Sequence, residues 1–220
     1  MGQLINNDPV NYRLIASDIE ANIAADIELS LHTPEFGGHA WSNLSAAAAV
    51  LTAYDATDDV RLSTLTTSPF SYTLDLSAEE TVTKVTCKLG NSDNAAKNGG
   101  SSLIVRSESA SDFIAVSLSK VSTGTTYIIS IYSGEILLSS SEAYDTSSAD
   151  TLLSPKKVTV LITPGQISAY AELSASIIIS TSFATTTLAS SNNVGFGSHS
   201  TGITVNAGSI WSDLFVYTDS

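Results

Sequence analysis

The sequence predicts an all-β protein, an antiparallel sandwich of two sheets, and three observations favour this fold. Apolar and polar residues alternate along many short segments, so that Val158, Val160 and Ile162, for example, fall on one face of a strand. Turn-forming residues separate the segments at intervals of about eight to twelve residues, as in sandwiches and barrels. No long helical pattern lies between them, which excludes a parallel α/β sheet, and 220 residues suffice for one such domain.

The N-terminal segment differs from the rest of the chain. Apolar residues recur there at every fourth position: Ile15, Ile19, Ile23, Ile27 and Leu31. This spacing marks one stripe of a helix, and we expect a short helix near 13–24 that passes into a strand near 25–32. The chain therefore divides into an arm or helix over 1–32 and a sandwich over 33–220. The stripe must be buried, either on the sandwich or on another protein, and in the second case its four isoleucines are the docking residues.

After a turn at 33–38 the pattern is β to the end of the chain. The predicted strands are Ala48–Tyr54, Val60–Leu65, Ser71–Leu76, Val82–Leu89, Ser102–Ser107, Phe113–Val121, Thr126–Tyr132, Ile136–Ser140, Lys157–Thr163, Ile167–Leu173, Ala175–Ser180, Asn193–Gly197 and Ser209–Tyr217. Strong reversal signals separate them, such as the Asn-Gly-Gly of 98–100 and Pro164-Gly165. The Ser/Thr-rich segment 181–193 is a loop, or a short edge strand followed by a loop.

Composition excludes several classes of partner. Nine basic and 22 acidic residues give a net charge of −13, which repels nucleic-acid phosphates and anionic membranes. We therefore expect no direct nucleic-acid or membrane partner. The acidity serves solubility, or it suits a basic partner or divalent cations. Only 14% of residues are charged, against about 25% in an average domain, and Ser and Thr supply much of the polar surface instead.

The single cysteine and the start of the chain carry little chemistry. Cys87 cannot form an internal disulfide, and alternation places it beside Val85 and Leu89 on one strand face, which predicts a buried, inert thiol. The first eight residues show neither the basic nor the apolar region of a signal peptide. We therefore expect synthesis in a host cytoplasm without a signal peptide.

Three segments near the C-terminus carry a family resemblance. Residues 156–170 form a strand, a tight turn and a second strand; 193–198 are a glycine-flanked aromatic strand; and 208–217 end in an Asp-Leu-Phe-Val-Tyr strand. Together they resemble the concanavalin A-like lectin and laminin-G-like jelly-roll superfamily, of the kind found in tailed-phage virion proteins. Ala40-Trp41 and 50–54 are similar to the opening strands of such domains. The resemblance covers about 33–220 and implies a jelly roll.

The packing expected of the last two strands agrees with this resemblance. Gly195 and Gly197 flank Phe196, so the aromatic ring is expected to enter the core where neighbouring backbone approaches closely. Parity places Ile210, Leu214 and Val216 on one face of the closing strand. The other face then carries Trp211, Asp213, Phe215 and Tyr217. Apolar groups on both faces predict a strand central in its sheet.

No catalytic apparatus is recognisable, so we predict that the chain is not an enzyme. Glycosidases with this jelly roll carry Glu-x-Asp-x-x-Glu on one strand, and the sequence has no such motif. The Asp/Glu/His cluster with which legume lectins hold metals is also absent, and the three histidines are isolated. We expect no required cofactor.

Two kinds of binding residue are candidates. Acidic loops could hold Ca²⁺ through Asp55, Asp58, Asp59 and Asp93, although turns use the same residues for local hydrogen bonds. Glycan binding needs exposed aromatic rings. The glycan-contact candidates are Trp41, Tyr54, Tyr144 and Trp211.

The function expected from this reasoning is that of a non-enzymatic virion structural protein of a tailed phage, either a capsid decoration protein or a tail-associated module. It would lie on the virion surface as a homo-oligomer, contact other virion proteins such as the capsid shell, and bind a surface glycan. The alternative is a carbohydrate-binding lectin or adhesin domain.

Overall fold

The computed structural model describes residues 41–43, 51–54, 59–62, 70–76, 81–91, 101–109, 111–121, 126–146, 155–191, 193–198 and 209–219. The predicted arm over 1–32, with its docking candidates Ile15, Ile19, Ile23 and Ile27, lies outside these residues. Within the described ranges the chain forms fifteen β-strands and no helix. None of the described segments is therefore a helix that could cross a membrane.

The strands are β1 (Trp41–Asn43), β2 (Leu51–Tyr54), β3 (Asp59–Leu62), β4 (Phe70–Asp75), β5 (Thr81–Asn91), β6 (Ser102–Ser107), β7 (Phe113–Val121), β8 (Thr126–Ser133), β9 (Ile136–Ser140), β10 (Tyr144–Asp145), β11 (Lys156–Thr163), β12 (Gln166–Ser174), β13 (Ile177–Ala184), β14 (Asn193–Ser198) and β15 (Ser209–Asp219). Three of them, β6, β7 and β9, have the predicted bounds.

The strands form two antiparallel sheets. The eight-stranded sheet has the order β1-β4-β14-β6-β7-β8-β10, and β9 pairs with β8 on the same side as β10. The seven-stranded sheet has the order β13-β12-β11-β5-β15-β3-β2. Many neighbouring strands within each sheet come from distant parts of the sequence, as in a jelly roll. The predicted all-β, two-sheet sandwich is confirmed.

One apolar core lies between the sheets. Alternate residues of β11 and β12 face it, and Val158, Val160, Ile167 and Ala169 are fully buried. Cys87 is also buried, as predicted from its strand parity. Burying a side chain of valine or leucine size stabilises a fold by about 1.5–3 kcal/mol, so this shared core is the main source of stability.

The closing strand β15 is central in its sheet, as predicted, but its parity differs from the prediction. A register shift between Ser212 and Phe215 inserts one extra residue opposite β5. Such a bulge reverses the inward and outward order beyond it. Trp211 and Leu214 therefore both face the core, together with Val216.

An aromatic cluster joins the two sheets at β14. The ring of Phe196 stacks on Tyr72 with centroids 5.6 Å apart and meets Trp211 at 5.3 Å. The Trp211 indole N–H donates to the carbonyl oxygen of Ser102 at 3.2 Å, from one sheet to the other. A Cβ atom at Gly195 would overlap the Tyr72 carbonyl oxygen, so glycine is required for this close approach.

Candidate functional site

The predicted glycan-contact residues do not come together. Trp211 is 0% exposed and packs in the core, so its assignment as a glycan contact is wrong. Trp41 lies in β1 and Tyr144 in β10, at opposite edges of the eight-stranded sheet. Tyr54 lies in β2, at an edge of the other sheet. Of the four, Tyr144 is the residue whose side chain the structure shows to be exposed.

The predicted calcium ligands are placed only in part. Asp59 is the first residue of β3, whereas Asp55, Asp58 and Asp93 lie outside the described residues. Across the ranges that the structure describes, no three His, Cys, Asp or Glu side chains group together as metal ligands would. The calcium expectation therefore stays a prediction.

The two sheets present very different outer faces. In β6 and β7 both faces are buried: Ile104, Phe113 and Ala115 form a second apolar cluster on the side of the sheet away from the main core. In β11–β13, by contrast, every second residue points to solvent. The seven-stranded sheet is thus the one with an open, accessible face in this part of the chain.

Strand register places the outward residues of this open face in rows. One row runs Tyr170, Thr159, Thr86, Phe215 across β12, β11, β5 and β15, and we call it the aromatic row. Tyr170 is 36% exposed and Phe215 is half-buried. The two threonines between them are short; Thr159 is half-buried and Thr86 is only 7% exposed, so the row has aromatic ends and a recessed middle. Three strand spacings separate its ends, about 14 Å.

The flanking rows supply charge. On one side Lys84 lies 3.6 Å above the ring of Tyr217, a cation–π contact that holds the ring in place. On the other side the Lys157 ammonium contacts the Glu172 carboxylate at 3.1 Å. Lys88 lies next to Lys157 in register and is exposed. The aromatic row is therefore bordered by three lysines and one paired carboxylate.

This face suits a flat ligand that carries both apolar and hydroxyl groups. An aromatic ring offers a large rigid apolar surface at little conformational cost, and threonine and lysine side chains offer hydrogen bonds beside it. The apolar side chains Leu161 and Ile178, which is 62% exposed, extend the surface.

The sequence contained a signal for this face that strand parity could have revealed. Ile167, Ala169 and Ala171 alternate as inward residues, which places Tyr170 outward. What parity cannot give is the register that aligns Tyr170 with Phe215, because it depends on pairings between strands far apart in the chain.

Comparison with known proteins supports the fold. No protein-family model and no curated protein matches the sequence. Among solved structures, the Ca²⁺/Man₃GlcNAc-bound exoplasmic/lumenal domain of VIP36 is similar, with a TM-score of 0.55 and 11% identity over 81% of this chain and 86% of that one. A Bacillus licheniformis β-glucanase gives 0.51 and 11% over 86% and 95%. The CBM2 module of the evolved Dit of Lactobacillus casei BL23 phage J-1 gives 0.52 and 10% over 82% and 91%. The chain thus has the concanavalin A-like jelly-roll fold.

Proposed function

We propose that this protein is a non-enzymatic carbohydrate-binding module of a tailed-phage virion. The observation that carries the binding role is the aromatic row on the open face of the seven-stranded sheet. The fold agrees with it, because the similar structures include a mannose-type glycan complex and a phage CBM2 module. The virion role draws its support from that phage module and from the family resemblance of the C-terminal strands.

A glycan would bind along the aromatic row. One sugar ring stacks its C–H face on Tyr170, and its hydroxyl groups reach Thr159 and the flanking lysines. Because the face is shallow, each module is expected to bind weakly. Several modules on one particle would then give high avidity without new contacts, which suits a homo-oligomer attached to the capsid shell or the tail.

The non-enzymatic part of the proposal rests on the sequence. Retaining glycosidases need two carboxyl groups about 5 Å apart, and this chain has no Glu-x-Asp-x-x-Glu strand to supply them. On the proposed binding face, Glu172 is held by Lys157. Calcium bound through Asp55, Asp58, Asp59 and Asp93 would be an additional property of the same module. VIP36 was solved with calcium.

A glycan array tests the binding role. The full chain should give signals that the Tyr170→Ala variant weakens at least tenfold, about 1.4 kcal/mol, because it loses the stacking ring. Tyr144→Ala is the matched control, since Tyr144 is 38% exposed at the far edge of the other sheet and should bind as the wild type does. Repeating the array with EDTA tests for calcium. An array without signal from the folded wild type, or a loss with Tyr144→Ala alone, would contradict the proposed face.

Immunogold labelling of particles tests the virion role. An antibody to this chain should decorate intact virions of the phage that encodes it at regular positions on the head or tail. If glycan binding is present but the virions carry no label, the alternative of a free lectin or adhesin domain is correct.

A further inference from the structure

A buried arginine lies at one end of the sandwich. In β6 a bulge between Ile104 and Arg106 sets Val105 and Arg106 opposite Ile114. Two consecutive residues of a bulge can face the same side, so both side chains reach the space between the sheets. Arg106 is only 2% exposed, one of the largest side chains so fully buried.

The guanidinium of Arg106 is held by neutral partners. Its two terminal nitrogens donate to the carbonyl oxygens of Thr163 at 2.7 Å and Thr187 at 2.9 Å. Arginine has five N–H donors, and these two bonds to described residues use two of them. Among the residues that the structure describes, no carboxylate accepts from it. Burial lowers the pKa of Arg106, although arginine keeps its charge at any physiological pH.

Arg106 lines a cleft of about 290 Å³ between the sheets. The polar lining residues are Thr81, Thr83, Thr163 and Ser191. Three of their hydroxyl groups already donate to backbone carbonyl oxygens: Thr83 to Tyr217, Thr163 to Gln166 and Ser191 to Ser107. The apolar lining comes from Val82, Val105, Ile162, Pro164 and Ala189. Arg106 is the one charged side chain among the lining residues described. A desolvated cation beside a cleft, with two neutral carbonyl partners among the described residues, is the arrangement that an anionic ligand completes.

We propose that this cleft binds a single acidic sugar residue, with its carboxylate on Arg106. A planar guanidinium matches a planar carboxylate better than it matches any neutral group. Because the hydroxyls of Thr83 and Thr163 already donate to carbonyl oxygens, they would accept hydrogen bonds from sugar hydroxyl groups, and the apolar lining suits the ring carbons. The volume fits one monosaccharide and little more. This site lies between the sheets and does not depend on the aromatic row.

Titration of the ¹⁵N-labelled full chain by NMR tests the site. Glucuronate should shift the Arg106 side-chain Nε–H signal and the amides near Thr163, with a Kd of about 1 mM, as expected for a ligand of this size. Glucuronic acid methyl ester, which lacks the negative charge, should bind at least tenfold more weakly. Acetate, which lacks the sugar, should do the same. If acetate or the methyl ester binds as tightly as glucuronate, the inference is wrong.

An arginine variant adds an independent arm. Arg106→Lys keeps the charge but loses the planar fork, and we expect glucuronate affinity to fall at least tenfold while the β-sheet circular-dichroism spectrum is retained. An unchanged affinity would show that Arg106 only ties the carbonyls of Thr163 and Thr187 to β6. Should the variant fail to fold, the wild-type titrations against ester and acetate still decide the question. The Tyr170→Ala variant should bind glucuronate normally, which separates this site from the proposed glycan face.

Discussion

Replacement of Gly195 by alanine should destabilise the sandwich strongly. The new Cβ would overlap the carbonyl oxygen of Tyr72 and lie 2.8 Å from the Cα of Thr73, whereas ordinary contact begins at 3.4 Å. Contact with the Thr73 Cα alone would require the strands β14 and β4 to separate by about 0.6 Å (3.4 minus 2.8), and the closer overlap with the Tyr72 carbonyl oxygen requires more. Backbone cannot rotate away as a side chain can. We therefore expect the substitution to lower the free energy of unfolding by about 3 kcal/mol, the upper end of the range for overpacked cores.

Thermal unfolding measures this cost. In a domain of this size about 1 kcal/mol shifts Tm by roughly 2–4 °C, so Gly195→Ala should lower Tm by about 6–12 °C. Gly165→Ala is the matched control, because the structure shows no atom within 4 Å of a Cβ added in the β11–β12 turn. Its Tm should stay close to that of the wild type. A Gly195→Ala variant that melts together with this control would refute the close approach of the two strands.

Three further predictions concern the core and the open face. The Trp211→Phe substitution should lower the free energy of unfolding, measured in urea, by about 2–3 kcal/mol, because it removes ring contacts and the buried hydrogen bond to Ser102. A decrease below about 0.5 kcal/mol would contradict the cross-sheet bond. Cys87 should react with DTNB only as fast as the protein opens, because the thiol is buried; immediate labelling of the native protein would show otherwise. A double-mutant cycle on Lys157 and Glu172 should give a coupling below about 1 kcal/mol that shrinks with salt, because both side chains are nearly half exposed, at 49% and 45%, and solvent screens the pair.

The strands were predictable where local alternation is strong. In β11 the inward residues Val158 and Val160 repeat with a period of two, and local sequence alone locates the strand. The two-residue strand β10 was missed, because Tyr144 and Asp145 show no pattern and are strand only through pairing with β8. The strand β13 continues to Ala184, beyond its predicted end, because β12 pairs with it over that length.

The candidate sites were less predictable, because bulges and register are properties of pairs of strands. Trp211 was expected opposite Leu214, and one extra residue before Phe215 turned both inward. Arg106 gave no local reason to be a core residue, and the bulge in β6 directs it into the end of the sandwich. Both cases depend on how a strand pairs with its neighbour. The sequence of the single strand does not contain that information.

The positions of the two proposed sites indicate how one glycan could use both. Thr163, at the cleft, follows Thr159 of the aromatic row by four residues on β11, about 13 Å along the strand. Lys84 and Leu161 lie in the row between them. The chain carries a net charge of −13, so an acidic polymer is repelled by most of its surface. Screening limits that repulsion to about 8 Å at physiological ionic strength, and the rows beside the aromatic row carry Lys84, Lys88 and Lys157 against the carboxylate of Glu172. Stacking on the aromatic row would then contribute an affinity that is largely independent of salt. Binding of the acidic residue at Arg106 would weaken as the salt concentration increases. Measuring the affinity of one glycan at several salt concentrations therefore separates the two contributions.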